Sequence, residues 1–163
     1  KADGILLLSL ISGRNAELLI GKQVEVAPLL KKSSLEVIST GYMLIESGKA
    51  TSVSYISNTL PIPIDKPEIA LSTAWAGQML GLKCNYLEAG SGAINTVPTE
   101  MVSMLSQKTD THLFVGGGIR DLETAKVILD AGADIIVIGT KIETDNTFID
   151  EISKVIHKKK LPV

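Results

Sequence analysis

The spacing of apolar residues changes along the chain between the two-residue repeat of strands and the longer repeat of helices. Short apolar runs, and runs that alternate with polar residues, predict β-strands. Such runs occupy residues 5–10, 36–45, 83–88, 112–115 and 134–138, and a weaker alternation at 51–56 predicts a short strand or hairpin arm. The run at 5–10 is apolar almost throughout, so we expect it to be fully buried. Two prolines make 57–64 a loop.

Helical spacing fills the intervals between these strands. The predicted helices cover 16–30, 65–80, 98–107, 121–132 and 146–159. Asp65 and Glu68 have the spacing of a capping box at the start of the second helix, and Asp121 is a suitable capping residue for the fourth. Gly81 and Gly132 are expected to end helices, because glycine readily adopts the left-handed conformation found there.

The alternation of strands and helices with short connections is typical of a parallel sheet covered by helices. No linker interrupts it, so residues 1–163 are predicted to form a single domain. Glycines follow two successive strands, Gly116, Gly117 and Gly118 after one and Gly139 after the next, as at the phosphate-binding end of a TIM (β/α)8 barrel. A complete barrel needs about 250 residues. We therefore expect this chain to hold about the C-terminal two-thirds of a barrel, with the first strands missing.

Composition narrows the function classes. The chain is 45% hydrophobic and 21% charged, with a net charge of −2, so it lacks the basic field of a nucleic-acid-binding protein. No apolar run approaches the roughly 20 residues of a membrane span. The one cysteine, Cys84, is expected to be a buried, unreactive thiol. A reducing cytoplasm is the simplest location.

Candidate chemistry lies at the carboxyl ends of the predicted strands, where parallel sheets and barrels bind their ligands. Tyr86 and Glu88 are two residues apart and so lie on the same face, whereas Leu87 points to the opposite one. A phenol and a carboxylate there can hold a polyol and accept a proton from one hydroxyl. Alternatively, Glu88 pairs with a cation and Tyr86 is an aromatic residue at the rim.

Two further features also allow two interpretations each. The segment Gly90, Ser91 and Gly92 can be an anion-binding nest or a plain turn. Arg120 directly follows the triple glycine and is either a phosphate clamp or a surface cation.

These residues carry a family resemblance. The block Tyr86, Leu87, Glu88, Ala89, Gly90, Ser91 and Gly92, together with the triple glycine and Gly139-Thr140, resembles the geranylgeranylglyceryl phosphate synthase family, which includes the bacterial heptaprenylglyceryl phosphate synthases. The resemblance extends to 8–15 and 40–44 and so covers nearly the whole chain. The tyrosine–glutamate block together with the triple glycine is specific, whereas either alone is not.

The resemblance implies a Mg²⁺-dependent TIM barrel that alkylates sn-glycerol 1-phosphate with a prenyl diphosphate. The resemblance also implies that Tyr86, Glu88 and Ser91 hold the glycerol and that Glu88 and Tyr86 are catalytic. It further implies that the phosphate is held by Gly116, Gly117, Gly118, Gly139 and Thr140. The family commonly has Asn where Thr140 stands. Its Mg²⁺-binding Asp lies on earlier strands, so no metal ligand is assigned here.

A prenyl chain also needs an apolar groove, and the family tends to form homo-oligomers. Leu60, Ile62, Ile64 and Trp75 are candidates for the groove, although packing under the proline loop explains them as well. The helix face formed by Ala70, Leu71, Ala74 and Trp75 is a candidate interface.

Two other functions remain open from the residues alone. Another phosphate-binding barrel of small-molecule biosynthesis would use the same glycine loops with a different catalytic strand, and the Tyr86–Glu88 block argues against it. A non-catalytic fragment or assembly subunit is the second alternative.

Overall fold

A computed structural model describes residues 2–156 of the chain. Within that range the strands form a single parallel sheet in the order β1-β2-β3-β4-β5. The strands are β1 Gly4–Leu10, β2 Glu36–Leu44, β3 Cys84–Glu88, β4 His112–Gly116 and β5 Ile135–Val137. Parallel strands that lie side by side in the order of the sequence are typical of a TIM-barrel-like α/β fold.

Helices connect successive strands and cover one face of the sheet. They are α1 Lys22–Lys32, preceded by a π-helical turn at Glu17–Gly21, α2 Ser52–Ser57, α3 Pro67–Met79, α4 Thr99–Lys108, α5 Leu122–Asp130, α6 Thr140–Thr144 and α7 Phe148–Ile156. None of the helices among the described residues has the length and apolar character needed to cross a membrane. Residues 157–159 of the last predicted helix and the lysine run at 158–160 lie outside the described residues.

The hydrophobic core lies between the sheet and the helices. From the sheet it takes side chains that alternate with those of the opposite face, and from the helices it takes the apolar stripes of α3, α4 and α5. Its members include Met43, Leu87, Leu113, Val115, Ala70, Ala74, Met101, Leu105 and Ile128, each at most 1% exposed. This packing fixes which way each strand faces, and therefore which residues reach the other side.

Register aligns the carboxyl ends of the strands. Tyr86 of β3 lies beside Tyr42 of β2 and Phe114 of β4, and Glu88 lies beside Gly116. The residues predicted to carry chemistry are therefore neighbours across strands.

The prediction of a strand at 51–56 is wrong, because these residues form α2. Thr51 caps this helix: its backbone N–H donates to Ser54 Oγ at 3.0 Å, and Ser54 N–H donates to Thr51 Oγ1 at 3.4 Å. Reciprocal hydroxyl caps satisfy the first helical amides and outweigh a short alternating pattern. In the loop that follows, Ile62 forms an isolated parallel bridge with Ile45.

The capping box predicted at Asp65 and Glu68 does not form. Lys66 is the N-cap residue of α3 and makes no side-chain cap hydrogen bond, and Pro67 occupies the first turn. Proline begins a helix without a cap because its fixed φ suits the first turn and its missing N–H needs no partner. By contrast, Asp121 does cap α5, since its Oδ1 accepts a hydrogen bond from Thr124 N at 2.7 Å.

Burial differs from expectation at two places. Strand β1 is not fully buried, since Ile5 and Leu8 are 38% and 40% exposed. The reason is that β1 lies at the edge of the described sheet. The proposed interface on α3 is mostly internal, since Ala70, Leu71 and Ala74 are buried in the core of the same chain.

The helical region after β5 begins earlier than the sequence pattern predicts. The segment 140–144 is helical, whereas the sequence pattern placed the last helix at 146–159. Asp145 separates α6 from α7 in an extended conformation, and its carboxylate accepts hydrogen bonds from the backbone N–H and the hydroxyl of Thr147. An aspartate that bonds the backbone two residues on favours such a break.

Candidate functional site

A cleft of about 630 Å³ opens at the carboxyl edge of the sheet. Four connections line it: the segment after β2, the loop after β3, the glycine loop after β4 and the junction of β5 with α6. Its lining residues are Tyr42, Ser52, Val53, Glu88, Gly90, Ser91, Gly92, Gly117, Gly118, Ile119, Arg120, Val137, Ile138, Gly139, Thr140, Lys141 and Thr144. The sequence-predicted site residues that reach the cleft thus come from three separate strand ends.

Glu88 is the carboxylate at the floor of this cleft. It is 9% exposed, and its Oε1 accepts a hydrogen bond from Gly90 N at 2.6 Å. It also shares a hydrogen bond with the Tyr86 hydroxyl. The period of the strand places both side chains on one face, as predicted, and Leu87 lies in the core on the other face with 0% exposure.

Burial raises the pKa of Glu88 above its ordinary value, and the hydrogen bonds from Gly90 N–H and from Tyr86 act in the opposite direction. Burial also raises the pKa of Tyr86, and the charge of Glu88 adds to this effect. A carboxylate with a raised pKa is a better proton acceptor, while the phenol stays protonated and donates. The pair can therefore orient a hydroxyl group and take its proton.

A row of aromatic rings holds the phenol in place. Tyr86 packs edge-on against Tyr42 with ring centroids 5.0 Å apart, and it stacks on Phe114 at 5.8 Å. Tyr86 is 8% exposed and supports the site from beneath rather than lining the cleft. Tyr42, unlike Tyr86, lines the cleft.

The glycines predicted to bind phosphate lie at two different places, some at the surface of the cleft and one below it. Gly117 and Gly118 have φ values of +86° and +74° and line the cleft together with Gly139 and Thr140. Gly116 lies beneath them, next to Glu88 and Tyr86. Backbone amides at the start of α6 have no partner within that helix, so they are available to an anion in the cleft.

The segment after β3 is both a turn and a wall of the cleft. Gly90 and Gly92 have φ values of +99° and +68°, and Ala93 N donates to the Gly90 carbonyl at 3.2 Å. Ser91 lies between them at the cleft surface. Ala89 is 2% exposed and belongs to the core, so any contact it makes with a substrate would be through its backbone.

Two cations line the cleft with the Glu88 carboxylate. Arg120 donates to the Ala93 carbonyl, which ties the glycine loop to the segment after β3. Lys141 pairs with Asp145 at 2.9 Å and lies over the Phe148 ring, 5.4 Å from its centroid. Positive side chains beside glycine-rich backbone favour an anionic ligand.

Sequence reasoning missed several lining residues, among them Ser52, Val53, Lys141 and Thr144. Ser52 and Val53 were missed because 51–56 was read as a strand, although Thr51 and Ser54 carried the capping signal. Lys141 adjoins a predicted residue, and no pattern distinguishes it from a surface lysine.

The residues proposed for the prenyl groove are dispersed. Ile62 is buried at 5%, whereas Leu60 and Ile64 are 88% and 44% exposed. Trp75 donates its indole N–H to the Lys108 carbonyl at 2.8 Å. None of the four lines the cleft that contains Glu88.

Among the described residues, no group of three or more His, Cys, Asp or Glu side chains is arranged to hold a metal ion.

Curated relatives resemble the chain over almost its whole length. Residues 1–157 match the PcrB family. Geranylgeranylglyceryl phosphate synthases from Chitinophaga pinensis and Flavobacterium johnsoniae are 54% and 56% identical over 156 and 150 residues, which is 96% and 92% of this chain. The chain spans 62% of the length of each of these relatives.

Solved structures agree with the fold. GGGPS from Thermoplasma volcanium superposes with a TM-score of 0.88 at 36% identity, over 99% of this chain and 65% of that one. The Thermoplasma acidophilum (S)-3-O-geranylgeranylglyceryl phosphate synthase, in complex with sn-glycerol-1-phosphate, gives 0.87 at 35% identity, over 96% and 62%. The sequence match along 1–157 and this structural likeness place the chain in one group: it belongs to the PcrB family.

Proposed function

We propose that this protein joins a prenyl group, geranylgeranyl or similar, from a prenyl diphosphate to sn-glycerol 1-phosphate. The observation that carries the proposal is a cleft in which the buried Glu88 carboxylate, supported by Tyr86 beneath it, faces two glycine-bearing strand ends. The names of the relatives and the glycerol phosphate bound to the Thermoplasma acidophilum enzyme support it.

Glycerol phosphate would bind with its phosphate against Gly117, Gly118, Gly139 and Thr140, where backbone amides and nearby cations favour an anion. Its hydroxyl end would then reach Glu88. This orientation suits the chemistry because the phosphate needs backbone donors and the reacting hydroxyl needs a proton acceptor.

The reaction has one bond forming and one breaking at the prenyl C1. The glycerol hydroxyl oxygen forms a bond to C1, the bond from C1 to the diphosphate oxygen breaks, and the diphosphate departs with that electron pair. The hydroxyl proton passes to the Glu88 carboxylate, while Tyr86 donates a hydrogen bond that keeps the carboxylate oriented. Removing this proton as the new bond forms avoids a charged oxonium product.

We propose Mg²⁺ as the cofactor, because a departing diphosphate binds this ion readily and Mg²⁺ usually takes only one or two carboxylates beside substrate phosphates. The described residues do not supply a ligand cluster. The roles of Glu88, Tyr86 and the glycine loops do not depend on the ion.

Three further properties are also proposals. The sheet is proposed to belong to a (β/α)8 barrel whose remaining strands are not among these residues, in keeping with five described strands and the length of the relatives. A homo-oligomer is proposed from the family resemblance, without the α3 face as its interface. The cytoplasm is proposed as the location because Cys84 is a buried free thiol.

The test is a transferase assay on the full-length protein with radiolabelled sn-glycerol 1-phosphate and prenyl diphosphates of graded length. Extraction of labelled glycerol phosphate into an organic phase is expected with at least one chain length. The sn-glycerol 3-phosphate enantiomer is the matched control. No transfer with any chain length, from a folded protein that binds glycerol phosphate, would refute the proposal.

A further inference from the structure

We propose that Gly116 is a positioning residue for Glu88 and Tyr86: the missing side chain at 116 leaves the space in which the carboxylate and the phenol meet. The inference rests on the proposed function and deepens it. It also separates the three consecutive glycines, which the sequence pattern assigns together to phosphate binding, into residues with different roles.

The geometry around Gly116 supports this role. A Cβ atom placed on its backbone would lie 2.7 Å from Glu88 Oε2 and 2.8 Å from the Tyr86 hydroxyl oxygen. Both distances are well below van der Waals contact, so a methyl group there and the present carboxylate position exclude each other. The β3–β4 register pairs Glu88 with Gly116 directly, which fixes this closeness through the sheet.

Gly117 and Gly118 serve different purposes. A Cβ on Gly117 would lie 2.6 Å from Gly90 N and 2.7 Å from Glu88 Oε1, and one on Gly118 would lie 3.0 Å from the Asn95 carbonyl oxygen. Both also have positive φ, so a side chain there strains the backbone itself. Substitutions at these two positions are expected to damage the fold of the loop and cannot isolate an effect on Glu88.

Gly116 is the position where an added methyl group acts on the site. Its φ is not among the positive values, so alanine fits the extended strand. The two atoms closest to the new methyl group are the ends of the Glu88 and Tyr86 side chains, which move more easily than backbone. Gly139 is a matched control, because its φ is −105° and a Cβ there has nothing within 4 Å.

A double-mutant cycle tests whether Gly116 acts through Glu88. In the full-length protein, Gly116→Ala is expected to lower kcat/KM for glycerol phosphate about tenfold or more, and to change it less than about twofold in a Glu88→Gln background. In Gly116→Ala the dissociation constant of inorganic phosphate should stay within about twofold of the wild-type value, whereas Gly139→Ala should raise that constant. Equal losses in both backgrounds would overturn the inference.

A second measurement is independent of the reaction. In Gly116→Ala, displacement of the carboxyl group changes both its burial and its hydrogen bonds, so the pKa of Glu88, followed by NMR of ¹³C-labelled glutamate, should differ from its wild-type value. An unchanged pKa would overturn the inference, whereas an inactive wild-type protein would refute only the proposed function.

Stability provides the remaining check, should the alanine variant fold poorly. Tyr86→Phe removes the oxygen that the new methyl group would meet, so Gly116→Ala should lower the melting temperature less in the Tyr86→Phe background than in the wild type. An equal or larger decrease there would contradict the proposed contact.

Discussion

Replacement of Glu88 by glutamine separates the chemistry of this carboxylate from its packing. The amide has nearly the same shape, its oxygen can accept the hydrogen bond from Gly90 N, and its NH₂ can face the Tyr86 oxygen. The substitution therefore removes the charge and the proton acceptor while keeping the contacts. Loss of a general base typically lowers the rate by about 10²–10⁴, which corresponds to about 2.7–5.5 kcal/mol of transition-state stabilisation.

The same substitution is expected to stabilise the folded protein at neutral pH. Burial raises the folded-state pKa of Glu88, so its ionised form is less favourable in the folded than in the unfolded chain. Protonation of Glu88 therefore favours the folded state. This stabilisation is present in full below the unfolded pKa of about 4.3 and is lost as the pH rises through the folded pKa. Each unit of the upward shift corresponds to about 1.4 kcal/mol of advantage for glutamine, and each kcal/mol to about 2–4 °C in melting temperature.

Both effects are measured on one pair of proteins. Transfer to glycerol phosphate is followed at saturating prenyl diphosphate, and thermal unfolding is recorded from pH 4 to pH 8 for the wild type and Glu88→Gln. The melting-temperature difference should be small at the acidic end and grow with pH. Near wild-type turnover in a folded variant would refute the role of Glu88 as the base, and a pH-independent difference in melting temperature would refute the burial argument.

Three further predictions concern the phosphate loop, the phenol and a helix cap. Gly139→Ala places a methyl group in the open cleft and should weaken glycerol phosphate binding about tenfold, or about 1.4 kcal/mol, by calorimetry; unchanged affinity would place the phosphate elsewhere. Tyr86→Phe removes a hydrogen bond that lowers the pKa of Glu88, so the acidic limb of the kcat/KM profile should move to higher pH, and an unmoved limb would contradict that hydrogen bond. Asp121→Ala should lower the free energy of unfolding by about 1 kcal/mol in urea titrations without changing KM, because Asp121 caps α5 and does not line the cleft; Asp121→Asn, which keeps the cap, is the control.

Local patterns were sufficient for most of the sheet. The predicted strands at 36–45 and 83–88 correspond to Glu36–Leu44 and Cys84–Glu88, because a strand between helices needs apolar residues at every second position or more. The pattern was insufficient at 51–56, where six residues are too few for periodicity to distinguish a strand from a capped helical turn.

The candidate site could be predicted only in part for a related reason. Tyr86 and Glu88 were identified because the two-residue period of one strand places them on the same face. Lys141 and Ser52 reach the cleft from other segments, and their arrival depends on how α2 and α6 pack. Likewise, the burial of Ala70 and Ala74 depends on α4 packing against α3.

The sequence by itself determined the residue types and their order along the chain: a phenol and a carboxylate in the last residues of β3, glycines at the end of β4 and directly after it, and a glycine with a threonine just beyond β5. The tertiary structure decided what each glycine does. Whether a missing Cβ makes room for a ligand or for a neighbouring side chain depends on what lies opposite it, and only the register of β3 against β4 brings Gly116 to the Glu88 carboxylate. Side-chain spacing along one strand is a local property, whereas closeness between strands requires the folded sheet.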